Sequence, residues 1–218
     1  MILLNLNEEL YENDLRALLM AFYPGKSIVR QEKEGVQIRL TVQYDREASN
    51  VTMTLETENA VIKRQAAVHF SDKKQGKIDT KTLLYEICVE ETKRELPWGT
   101  LTGIRPTKIA MTMLNEGKTE QEIWDYMRNT MLCGEEKTKL SIQIAEKERA
   151  ILEKFDYKNG YSLYIGIPFC PTTCAYCSFT SYPIGKWQKQ VDEYLAHVEL
   201  ELDYIAKQFQ NRPLHTVY

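Results

Sequence analysis

Tyr161-Ser-Leu-Tyr164-Ile-Gly166-Ile-Pro-Phe-Cys170-Pro-Thr-Thr-Cys174-Ala-Tyr176-Cys177 is the stretch that governs the reading of this chain: a short apolar strand leading directly into a loop with three cysteines. Beyond the loop, Trp187, Val191, Tyr194, Leu195, Val198, Leu202, Ile205 and Phe209 recur at steps of three and four, the period of one helix face. Leu214 to Tyr218 then begins another strand. Strand, loop, helix and strand make a βαβ unit, so residues 161–218 are expected to open a parallel α/β barrel or sheet. On the N-terminal side, the polar turn Asp156-Tyr-Lys-Asn-Gly160 marks the expected domain boundary.

Residues 1–155 carry a different pattern. A helix is expected over 7–23, closed by Pro24-Gly25. The period then changes to two: Val36, Ile38, Leu40, Val42 and Tyr44 alternate with polar residues, as do Val51, Met53 and Leu55. With a third run from Ile62 to Phe70, these predict a small antiparallel sheet with one wet face. A helix follows from Ile78 to Lys93 with Leu84, Ile87 and Cys88 as its buried stripe, then helices near 106–116, 119–130 and 135–154. Thr119-Glu-Gln-Glu122 has capping-box spacing. The expectation is an α+β N-terminal domain, autonomous in folding.

The 28 basic and 31 acidic side chains give a net charge of -3, without the concentrated positive field of a nucleic-acid binder. The opening MILLNLNEEL has no basic region before its apolar run, and reads as neither a signal peptide nor an anchor; no later run is long enough to span a bilayer. Five cysteines is an odd number, and three of them fall within eight residues. That is a ligand cluster and not a disulfide framework, and it suits a reducing cytoplasmic setting.

Thiolates spaced four and three residues apart on a loop can curl round one small cluster, since soft sulfur favours iron. Three cysteines cannot saturate a four-iron cubane, so one iron stays open to a chelating ligand. A zinc site is the alternative. It needs a fourth ligand, and the only downstream histidines, His197 and His215, lack zinc-knuckle spacing. Cys88 reads as a core thiol and Cys133 as a residue of a helix-joining turn.

From Tyr164 to Phe179 the chain resembles the coproporphyrinogen dehydrogenase and heme-chaperone branch of the radical S-adenosylmethionine (SAM) superfamily, on the Tyr-x-x-Ile-Pro-Phe-Cys lead-in and the three cysteines. The resemblance implies a [4Fe-4S] cluster on Cys170, Cys174 and Cys177, with Tyr164 and Tyr176 lining the SAM site. Read from the residues alone, those tyrosines are equally well explained by packing. It further implies that 161–218 is the first, truncated βαβ part of a radical SAM α/β barrel, a partial TIM-like barrel, because the family's glycine-rich SAM segment would follow the second strand. The implied reaction is oxygen-independent: one-electron cleavage of SAM gives a radical that takes hydrogen from a propionate of coproporphyrinogen III, and loss of carbon dioxide leads to protoporphyrinogen IX in heme biosynthesis. Implied partners are the porphyrinogen substrate and an electron donor such as flavodoxin or ferredoxin, and this stretch alone is expected to be inactive. Gly166 stands where the best-known dehydrogenases carry histidine, and Phe179 where they carry a further cysteine. Heme-chaperone relatives also lack that cysteine, so the alternative is a chaperone-like protein that binds heme without dehydrogenase activity.

In the leader, Pro97-Trp-Gly-Thr-Leu-Thr-Gly103-Ile-Arg105-Pro106-Thr-Lys108 brings a glycine-containing loop with two cations to a helix start, which suits either an acidic group or the docking of one domain on another. His69 is expected in solvent on its strand face, and His197 at a partly covered edge of its helix stripe; His215 opens a strand.

Overall fold

The computed structural model describes residues 1–156 and 158–218; Tyr157, inside the expected boundary turn, lies outside the described residues. The chain divides into two compact units, Met1–Glu148 and Arg149–Tyr218.

In the first unit, β1 (Ile2–Leu6), α1 (Glu12–Phe22), β2 (Ile28–Val29), β3 (Ile38–Asp45), β4 (Asn50–Glu56) and β5 (Val61–Ala67) build a five-stranded sheet in the order β2-β1-β3-β4-β5. β3, β4 and β5 are antiparallel, with Val42 opposite Met53 and Leu55 opposite Ile62. The expected all-antiparallel sheet is corrected by β1, which runs parallel to both β2 and β3. That strand occupies the segment before the expected helix, so the helix itself begins five residues later than expected, at Glu12 instead of position 7. Alternation does what it should in β3 and β4: Ile38, Leu40, Val42, Tyr44, Val51, Met53 and Leu55 are all buried.

α2 (Lys73–Thr92) starts earlier than its apolar stripe indicates, because the Asp72 side chain accepts from the backbone N–H groups of Lys74 and Gln75 at 2.9 and 3.0 Å. Its Leu84, Ile87 and Cys88 are fully buried, and they join the sheet and α1 in one core. A smaller core follows, built by α3 (Lys108–Asn115), α4 (Glu120–Asp125), a π-helical turn at Tyr126–Thr130 and the first part of α5 (Glu135–Leu152). The capping box is present: Glu122 N–H donates to Thr119 Oγ1 at 3.2 Å, and Thr119 N–H to Glu122 Oε2 at 2.8 Å. The division between the units falls inside α5, ahead of the expected boundary at 155.

Backbone closeness fixes the loop between α2 and α3. Thr100 N–H donates to Met131 O at 2.8 Å, Gly134 N–H to Pro97 O at 2.9 Å, and the Cys133 thiol to Trp98 O at 3.2 Å. Gly99 sits at φ +56°, where an added Cβ would lie 2.1 Å from Met131 O. Only glycine fits there.

The second unit contains β6 (Tyr161–Leu163), β7 (Phe169–Cys170), β8 (Tyr182–Pro183), α6 (Ile184–Trp187), a 3-10 turn at Gln188–Gln190, α7 (Val191–Gln208) and β9 (Leu214–Val217). β6 pairs in parallel with β9, with α7 between them in sequence, which is a βαβ connection. Val191, Tyr194, Val198, Leu202, Ile205 and Phe209 are half-buried, whereas Leu195, Leu200 and Tyr204 are exposed; none of the unit's described residues is fully buried.

Candidate functional site

The cysteine loop is closed at its base by a short parallel pair, β7 with β8, which matches Phe169 to Tyr182 and Cys170 to Pro183. Tyr182 N–H donates to Pro168 O at 2.7 Å, and the Thr173 and Ser181 hydroxyls are 3.2 Å apart. α7 fixes the lead-in: the Tyr194 hydroxyl donates to Gly166 O, and its ring meets Phe169 edge-on at 5.3 Å. Helical spacing placed Tyr194 in the apolar stripe. Its hydroxyl contact to the loop was not foreseeable, because nothing local signals a partner 28 residues away.

Cys170 lies on β7 and is half-buried, Cys174 is exposed at the loop, and Cys177 is half-buried just beyond it. Cys177 N–H donates to Cys174 O at 3.0 Å, so the last two cysteines share one turn, and the Cys177 thiol donates to Phe179 O at 3.8 Å. All three thiols are free. Among the described residues no three His, Cys, Asp or Glu side chains are grouped closely enough to hold a metal ion, so the arrangement is a loop carrying three accessible sulfurs and not an assembled cage.

Tyr164 is 68% exposed and stacks on Tyr218 at 5.2 Å, next to backbone bonds that extend the β6–β9 pairing. Tyr176 is 90% exposed, at the tip of the loop. His197 corrects the expectation of a partly covered edge: its side chain is 67% exposed, with Nε2 3.9 Å from Glu193. His215 packs beside Phe155, ring centroids 5.7 Å apart, and its Nε2 is buried with no hydrogen-bond partner among the described residues. His69 is not on β5, which ends at Ala67; its ring Nδ1 lies 2.7 Å from Asp79 Oδ2, and its side chain is 63% exposed.

The other two cysteines contrast with the loop. Cys88 and Cys133 are fully buried, and burial pushes their thiols up to about 12 and about 11. They stay protonated and unreactive at neutral pH.

The chain is 27% identical over 210 residues to the oxygen-independent coproporphyrinogen-III oxidase-like protein HemZ of Bacillus subtilis (strain 168), covering 93% of this chain and 42% of HemZ. Over 59 residues it is 34% identical to the heme chaperone HemW of Mycobacterium tuberculosis (strain H37Rv), covering 27% of this chain and 15% of HemW. The two likenesses together support a family of the HemZ and HemW type. It spans less than half the length of these curated relatives. No protein-family model matches the chain, and no solved structure matches it. The likeness to HemZ takes in both units, so the sheet-bearing first unit is part of what the two proteins share. Among the described residues no helix is long and apolar enough to cross a membrane.

Proposed function

We propose that this chain carries the cluster-binding part of a radical SAM oxidoreductase, a coproporphyrinogen dehydrogenase that converts coproporphyrinogen III to protoporphyrinogen IX without oxygen. One observation carries the reading: in a relative of HemZ, three free thiols stand on an accessible loop at the end of a strand, with a helix and a parallel strand following. The donor set fits a [4Fe-4S] cluster. It is all soft sulfur, it is not locked in disulfides, and it is one ligand short of a closed site. Cys170, Cys174 and Cys177 would hold the cluster, and Tyr164 and Tyr176 would line the place for SAM. When bound, cluster and SAM supply a carbon radical able to take hydrogen from an unactivated propionate carbon, which side-chain acids and bases cannot do.

The chain's own residues position and shelter. The β7–β8 pair holds Cys170 opposite Pro183 and so closes the loop that carries Cys174 and Cys177. Tyr194 pins the lead-in through Gly166 O. The β6–α7–β9 unit is, on this reading, the opening of a partial TIM-like barrel whose further strands would cover α7 and exclude water from the radical. An electron donor such as flavodoxin or ferredoxin and a cytoplasmic setting belong to the same proposal.

The HemW likeness favours a second reading, a heme-binding protein without dehydrogenase activity. Anaerobic incubation of the iron-loaded protein, at the length of its relatives, with coproporphyrinogen III, SAM and reductant separates the two. Protoporphyrinogen as product supports the dehydrogenase. Stoichiometric heme binding without turnover supports the chaperone and contradicts the first reading.

A further inference from the structure

The first unit has a cavity of about 810 Å³ whose chemistry the cysteine loop does not use. Its wall includes the Thr100–Arg105 loop, the N-terminal turn of α3 and one side of α2. Six cations face it, Lys74, Lys77, Lys81, Arg105, Lys108 and Lys118, against the carboxylates of Asp14 and Glu116. Lys77 is taken by Asp14 at 3.1 Å and Lys118 by Glu122 at 3.1 Å; the other four make no ion pair among the described residues. The remaining wall is mostly apolar, with Leu101, Ile109, Met113 and Met131, and includes Thr100, Thr102, Thr112 and Tyr126.

Lys81 is the informative residue. It is only 8% exposed, and its Nζ donates to the neutral Thr102 hydroxyl at 3.3 Å. Burial holds its ammonium below the ordinary lysine value, Asp14 pulls it back up, and Lys77 adds to the depression. A buried ammonium without a counter-charge is costly, and a well-paired anion relieves that cost. Exposed Arg105 and Lys108 lie on the same cavity, at the start of α3. The size is that of small-molecule pockets, which pair apolar walls with a few convergent polar groups.

We propose that this cavity binds an organic anion with an apolar body, its carboxylate or phosphate held by Lys81, Arg105 and Lys108 and its body lying on Ile109, Met113 and Met131. The site stands on the first unit alone and is independent of any cluster on the cysteines. A tetrapyrrole carrying propionates and a long-chain acyl acid share this chemistry.

Two probes distinguish them on the iron-free 218-residue chain: coproporphyrin III, followed by its fluorescence, and palmitate, followed by calorimetry. At least one should saturate a single site. Affinity should fall about tenfold or more in Lys81→Met and in Arg105→Gln/Lys108→Gln, and should not change in Cys170→Ala/Cys174→Ala/Cys177→Ala. The tetramethyl ester of coproporphyrin, which lacks the charges, should not compete. The double variant alters only exposed side chains, so it decides the matter even where Lys81→Met fails to fold. Single-site binding of neither probe, or binding undiminished in the double variant, overturns the proposal. Anion binding with failed iron uptake would count only against the cluster reading, and the converse only against this site.

Discussion

The two units place the same kinds of side chain in opposite circumstances. In the first, aliphatic stripes are fully buried in two cores and both cysteines are sealed inside them. In the second, no described residue is fully buried, and Leu195, Leu200 and Tyr204 of α7 face outward while three thiols remain accessible. Sealed thiols serve packing, and accessible thiols gathered on one loop serve chemistry. The difference also separates stability from function: the first unit should carry the chain's cooperative unfolding, and the second should change its metal content with little effect on that transition.

Hydrogen exchange gives the largest expected contrast. Amides of β3 and β4, between neighbours on both sides in the sheet, should exchange roughly a thousandfold more slowly than those of α7, since opening β3 and β4 requires unfolding the larger core. Equal protection in the two units would dissolve the comparison. Next comes Gly99→Ala, which forces a side chain against Met131 O at a positive φ and should destabilise the first unit by about 3 kcal/mol or more, read as a lower denaturant midpoint. Iron uptake by the second unit, measured below the unfolding transition, should be unaffected.

High pH sharpens the thiol contrast. The folded values of Cys88 and Cys133 are raised from 9.0, so the unfolded chain gives up those protons first. The stability they contribute is fully present below about pH 9 and is lost as pH rises through about 11 and 12. Tyr23, raised chiefly by burial, acts in the same direction. Denaturant midpoints for the first unit should therefore fall steeply above pH 9, and replacing Cys133 with Ala should flatten part of that fall; a midpoint independent of pH from 8 to 11 would contradict the burial. The smallest effect belongs to Thr119→Ala, which removes one side of the capping box and should cost about 1 kcal/mol in the first unit's stability.

What could be read from residues alone followed a physical rule. Local periodicity announced β3, β4, the stripe of α2 and that of α7, because burial on one face writes itself every second or every third and fourth residue. β1 escaped because Ile2-Leu-Leu-Asn-Leu6 has no alternation: its first three residues are all buried, and its parallel partners are distant in sequence. The Asp72 cap was similarly hidden, since the polar first turn of α2 precedes its stripe. In the candidate site, spacing singled out Cys170, Cys174 and Cys177, but the Tyr194–Gly166 bond and the β7–β8 closure are tertiary and left no local mark. The cavity at Lys81 was half visible: Arg105 and Lys108 stood out beside a helix start, while the burial of Lys81 depended on how α2 meets the Thr100–Arg105 loop.

The central claim is that the accessible cysteines, and not the sealed ones, are the metal-binding residues. Anaerobic reconstitution with iron and sulfide, followed by iron and sulfide analysis of the parent, Cys170→Ala/Cys174→Ala/Cys177→Ala and Cys88→Ala/Cys133→Ala, tests it most directly. The account predicts about four irons per chain in the parent, essentially none in the triple variant, and parental content in the double variant wherever it remains folded. Iron and sulfide retained by the triple variant at the parental level would contradict it.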